Sequence, residues 1–170
     1  MIIKIGMGEG IVAEAPHIIE SVGIGSCVAV TLYDLMRKAG GLAHIKLPQL
    51  ISDCRFQISD LNSAILTPHS AFEFADTAIP ALLEELRKKG CSRQNIVAKI
   101  AGGAKMFPSY SIADAGIGEQ IVRRVRHLLK KEGIPLKGRE TGGSHGRSVE
   151  FYLETGKVVV KAFEREEKEI

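Results

Sequence analysis

Two short runs carry the residues best suited to chemistry. The first is Gly23-Ile24-Gly25-Ser26-Cys27-Val28-Ala29-Val30, in which a glycine-flanked cysteine opens an apolar run. The second is Gly40-Gly41-Leu42-Ala43-His44, which places a histidine on the next apolar run. A cysteine and a histidine on neighbouring strands can build a thiolate–imidazolium pair, the core of cysteine-based acyl transfer. A free thiol titrates near ~8.5, so a neighbour must favour the thiolate if much of it is to exist at neutral pH. Glycines at 23 and 25 allow a tight turn and close approach of a substrate. Backbone N–H groups at Gly25 and Ser26 can then hold an oxyanion beside Cys27. The competing reading is plain packing: a cysteine at a strand start is also a small buried hydrophobe. A histidine on an apolar strand is also an ordinary core residue. The catalytic case rests on the two lying across a hairpin, where cross-strand neighbours stand about 5 Å apart at Cβ. Register decides it, because a slip of one residue puts them on opposite faces.

The elements that must hold such a pair are legible from pattern. Residues 1–5 read as a strand, with Gly6, Gly8 and Gly10 as turn material, and 18–22 as a second strand. Cys27 to Tyr33 and Gly41 to Leu47 read as a hairpin, the latter stopped by Pro48. Residues 49–71 read as a long surface excursion. A helix begins at Ala75, where Ala78, Ile79, Leu82, Leu83 and Leu86 keep a 3.6-residue period, and Gly90 marks its stop. Ile96 to Ala101 reads as a buried strand, and Gly118 to Lys131 as a second helix with Ile121, Val125, Leu128 and Leu129 on its apolar side. Strands follow at about 134–140, 148–154 and 157–163, the last two joined at Thr155-Gly156. The order predicts an α/β layered sandwich with mixed β-sheets and two main helices. Residues 1–163 read as a single domain, and 164–170 as a charged tail expected to fray.

Composition narrows the function class. With 170 residues, 45% apolar, the chain can bury one sizeable core. A net charge of +3 and the absence of Trp argue against nucleic acid as a partner. No apolar run approaches the length of a membrane span, so no direct membrane insertion is expected. Three cysteines without a Cys-x-x-Cys spacing predict free thiols in a reducing cytoplasm, not a disulfide framework. His17, His69, His127 and His145 match no metal-ligand spacing, and no cofactor or metal is expected. Cys54 and Cys91 lack glycine frames and read as bystanders. Gly102-Gly103-Ala104-Lys105 follows a strand without a phosphate-loop pattern, and as a strand-end loop it can line the cleft near Cys27. Nothing matches the papain-type cysteine motif.

The run from Ser21 to Val30, with Gly40-Gly41-Leu42-Ala43-His44-Ile45-Lys46-Leu47-Pro48, resembles the CheD chemoreceptor glutamine deamidases. The resemblance continues through Ala75-Asp76-Thr77-Ala78-Ile79-Pro80, Ala98 to Phe107, Ile117-Gly118 and Gly142-Gly143-Ser144-His145-Gly146-Arg147. It implies hydrolysis of glutamine side-chain amides to glutamate on methyl-accepting chemotaxis receptors, and action on receptor glutamyl methyl esters. It implies a fold like that of a toxin-type cysteine deamidase. The catalytic roles it carries over are Cys27 as nucleophile, His44 as base and position 21 as the orienting hydroxyl, a Ser here where the family usually has Thr. The partners it implies are the receptor cytoplasmic domain and a CheC-type phosphatase, whose regulation is the alternative role. A free monomer is the default expectation.

Overall fold

The computed structural model describes residues 1–49, 70–107, 116–162 and 165–170. The central strands are β4 (Val28–Asp34) and β5 (Ala39–Ile45), buried at every position. They pair antiparallel as the expected hairpin. Burial on both faces explains their nearly unbroken apolar composition: each face of a middle-layer strand meets another layer. β2 (Gly10–Glu14) pairs with β5. β6 (Ile96–Gly102) pairs with β4, and β7 (Leu136–Thr141) runs parallel to β6. Together they form a five-stranded mixed sheet in the order β2-β5-β4-β6-β7.

The second sheet contains β1 (Ile2–Ile5), β3 (Ile18–Ile24), β8 (Arg147–Tyr152), β9 (Lys157–Lys161) and β10 (Lys168–Glu169), in the order β1-β3-β8-β9-β10. It too is mixed, with β1 parallel to β3 and the remaining pairs antiparallel. The helices α1 (Ala75–Lys88) and α2 (Ile117–Lys131) cover the outer face of the first sheet. Gly90, at φ +77°, ends the α1 segment in the left-handed region, as a helix stop requires.

Two cores result from alternation along β4 and β5. Val28, Val30, Leu32, Ala39, Ala43 and Ile45 pack under the helices with Ile79, Leu82, Ile121 and Leu129. Ala29, Tyr33 and Leu42 face the other sheet and meet Ile19, Ile24 and Phe151. Tyr33 and Phe151 stack edge to face at 5.7 Å. The layered α/β architecture with two mixed sheets and two helices agrees with the sequence expectation.

Three local expectations change. Gly10 opens a strand, not a turn, because β5 offers it and the four residues after it a ladder partner. The tail does not simply fray: Lys168 and Glu169 pair with Val160 and Val159 of β9, and Lys157 pairs with Glu169 at 2.8 Å. Residue 44 lies opposite residue 29, not opposite Cys27, which sits one residue before the ladder begins. The excursion expected at 49–71 lies, for residues 50–69, outside the described residues, as do Cys54 and His69. Ser70–Phe72 forms a 3₁₀ turn leading into α1.

Candidate active site

Two buried polar side chains, one from each sheet, meet in the space between the sheets. Ser21 comes from β3 and His44 from β5, and each is 1% exposed. The Ser21 hydroxyl oxygen lies 2.9 Å from His44 Nδ1. It also donates to the Ile5 carbonyl of β1 at 3.1 Å. A serine hydroxyl has one proton. With that proton on Ile5, Nδ1 must carry the imidazole proton and donate to Ser21. This assignment leaves the lone pair of a neutral imidazole on Nε2. Nε2 is buried and, among the described residues, has no hydrogen-bond partner.

Cys27 is 7% exposed and follows the bend at Gly25-Ser26. Residues 27, 29 and 44 share the inter-sheet face, so Cys27 is the diagonal neighbour of His44. Its carbonyl accepts the Gly103 N–H at 2.7 Å, and the Gly25 carbonyl accepts that of Ala104 at 2.9 Å. A Cβ at Gly102, where φ is +115°, would run into the Cys27 carbonyl oxygen. The glycine pair after β6 therefore lets that loop sit against the cysteine, as the sequence suggested. Among the described residues the N–H groups of Gly25 and Ser26 bond to no acceptor.

Electrostatics disagree with a resting ion pair. Burial pushes the Cys27 thiol up, although its own backbone N–H and the charge of Lys46 pull the other way. Burial pushes His44 down to about 4. Both groups are neutral at pH 7, because desolvation penalises each charged form. The pair expected as thiolate and imidazolium is thus thiol and imidazole at rest. A base with a free, correctly oriented lone pair still serves general-base chemistry, and such contacts commonly tighten on substrate binding.

A second loop supports this wall. The Lys105 N–H donates to the Gly143 carbonyl at 2.8 Å, and that of Gly142 to Gly102 at 2.9 Å. Arg147, 4% exposed, holds the 142–146 loop by pairing with Glu140 and donating to the Gly142 and His145 carbonyls. His145 is half-buried against Gly143, and among the described residues its Nδ1 has no partner. A cavity of about 210 Å³ lies between this loop, Ala104 and the start of α2, and neither Cys27 nor His44 lines it. Among the described residues no cluster of His, Cys, Asp or Glu is placed to hold a metal. Asp76 pairs with Arg124 at 2.6 Å, so it ties the two helices together.

Sequence reasoning missed Lys46, Glu73 and the Arg147–Glu140 pair. Lys46 was legible in principle, being two residues beyond His44 and so on the same strand face. Glu140 was not, because its partnership depends on how the 142–146 loop folds between β7 and β8.

Residues 62–162 match the family CheD, described as CheD chemotactic sensory transduction. A relative from Caldanaerobacter subterraneus, named probable chemoreceptor glutamine deamidase CheD, is 40% identical, covering 94% of this chain and 92% of its own. The chemoreceptor glutamine deamidase CheD of Thermotoga maritima is 41% identical, over 92% and 89%. Among solved structures, the Bacillus licheniformis hypothetical protein YfiH aligns with a TM-score of 0.47 and 16% identity, over 80% of this chain and 51% of that one. Among the described residues no helix is long and apolar enough to cross a membrane. The full-length relatives and the matched segment place this chain in the CheD family.

Proposed function

We propose that this chain is a protein-glutamine glutaminase that converts glutamine side chains of chemoreceptors to glutamate, with Cys27 as nucleophile, His44 as base and acid, and Ser21 as the orienting group. The names of its relatives support the reaction. The observation that carries the residue roles is the buried, unpartnered Nε2 of His44, whose Nδ1 is bonded to Ser21.

The steps follow from those atoms. Nε2 takes the Cys27 thiol proton as sulfur attacks the glutamine Cδ. The carbonyl π electrons move to oxygen, and N–H groups at the 25–27 bend stabilise the charge that develops there. His44 then returns the proton to the amide nitrogen, the C–N bond breaks, and ammonia leaves. Water attacks the resulting thioester as His44 accepts a proton from it; the C–S bond breaks, sulfur regains its proton, and glutamate is released. A glutamyl methyl ester fits the same sequence with methanol leaving in place of ammonia. The reaction takes place in the cytoplasm on the receptor's cytoplasmic domain; regulation of a CheC-type phosphatase is the alternative role, tested by co-purification.

Intact-mass analysis of a receptor cytoplasmic fragment incubated with this protein tests the reaction. A gain of about 1 Da per converted glutamine is expected with the parent and not with Cys27→Ala. Equal gains with both would remove Cys27 from the chemistry.

A further inference from the structure

Beyond Ile45 the β5 chain does not simply leave the sheet. The N–H groups of Lys46 and Leu47 both donate to the Glu73 carbonyl, at 3.1 and 3.0 Å, and the Ala75 N–H donates back to Leu47 at 3.0 Å. Leu47 forms a parallel bridge with Phe74. The segment entering α1 therefore clamps residue 46 in place. Continuing the β4–β5 register by one residue sets Lys46 opposite Cys27, on the face that carries His44. The Lys46 ammonium lies 3.3 Å from a Glu73 carboxylate oxygen, and both side chains are about one-third exposed.

Among the described residues, the other charged groups on the neighbouring segments are committed elsewhere or turned out. Glu9, in the turn between β1 and β2, accepts the Gly6 N–H. Arg147 is paired with Glu140. Lys105, on the loop after β6, is exposed. His44 is neutral at rest. Among the described residues Lys46 is a cation whose field favours the thiolate, and Glu73 is its ion-pair partner.

We propose that Lys46, held by Glu73, is a positioning residue that stabilises the Cys27 thiolate as it forms. The inference rests on the reading of Cys27 as nucleophile. Moving the thiol proton to His44 creates charge where burial disfavours it, and a cation across the ladder lowers that cost. Lys46 acts through sulfur and not through contact with substrate. Glu73 sets how much of the lysine charge reaches the sulfur.

The test is the rate of Cys27 alkylation by iodoacetamide as a function of pH, read by peptide mass spectrometry on the full chain. Lys46→Met should move the midpoint up by about half to one pH unit, an about three- to tenfold loss of rate near pH 8. Lys46→Arg should stay near the parent. Glu73→Gln, which keeps the backbone carbonyl contact, should move the midpoint down. Added salt should shrink each difference, since the pair is partly exposed. Superimposed profiles for all four proteins would overturn the proposal. So would Lys46→Met and Glu73→Gln moving the same way, which would mean lost packing, not lost charge. The readout needs no receptor, so its failure is separable from failure of the deamidase reading. A parent that deamidates receptor but gives superimposed profiles loses only the role of Lys46.

Discussion

Asp34 and His44 lie at opposite ends of the β4–β5 hairpin, at 0% and 1% exposure, and the fold treats them in opposite ways. The Asp34 carboxylate accepts the N–H groups of Met36 and Arg37 at 3.0 and 3.2 Å, closing the turn. Its other oxygen accepts that of Ser92 at 3.1 Å, tying the turn to the segment after α1. His44 has one ring nitrogen bonded and the other bare. A buried polar atom without a partner costs on the order of 1–3 kcal/mol. Asp34 spends its acceptors on structure. His44 keeps one acceptor in reserve at a cost in stability, which is the behaviour expected of a site and not of a scaffold.

Substitutions at the two ends should separate the two roles. His44→Ala should lower receptor deamidation by about a thousandfold or more, while the protein remains folded. Circular dichroism with the intact-mass assay checks both halves, and near-parent activity would end the assignment. Asp34→Ala should do the reverse. It should lower the unfolding free energy in urea by about 3 kcal/mol, by leaving buried N–H groups unpaired. Cys27 alkylation of the folded fraction should be unchanged.

Acid titration sharpens the contrast. The folded His44 is held at about 4, below its ordinary 6.5. Its neutral form is therefore the one the fold favours. The corresponding stability is fully present above about pH 6.5 and is lost as pH falls from there toward about 4. The loss amounts to at most about 3 kcal/mol. Urea unfolding at several pH values, in the parent and in His44→Gln, measures it. An identical acid dependence in both would mean that the ring is not buried neutral. The smallest effect expected is at Ser21. Ser21→Ala removes the acceptor that orients Nδ1–H and should cost about tenfold in turnover, whereas Ser21→Thr keeps the hydroxyl and should stay near the parent. Equal rates for Ser21→Ala and the parent would show that packing alone orients the ring.

These residues also mark how far the chain could be read before its fold was known. Cys27 and His44 stood out because a glycine-framed cysteine and a histidine on the next strand are unusual side chains in apolar runs. Ser21, Gly25 and Ser26 were reached through the family resemblance and the glycine turn. The helices were legible because Ile79, Leu82, Leu86, Ile121, Val125 and Leu129 repeat at helical spacing, and the hairpin because β4 and β5 are both apolar around a polar turn. β2 was not, since a glycine-led segment has weak strand character and pairs only because the β5 edge lies beside it.

Local pattern thus determined the two helices, the hairpin and the candidate nucleophile and base, because periodicity and residue chemistry act over a few neighbouring positions. The tertiary structure decided the rest. It set His44 opposite Ala29, brought Ser21 from the other sheet onto Nδ1, and withdrew thiol and imidazole from water so that both rest neutral. It also placed Glu73 and Lys46 side by side. Register, contact between sheets and desolvation depend on segments far apart in the chain, and no local pattern encodes them.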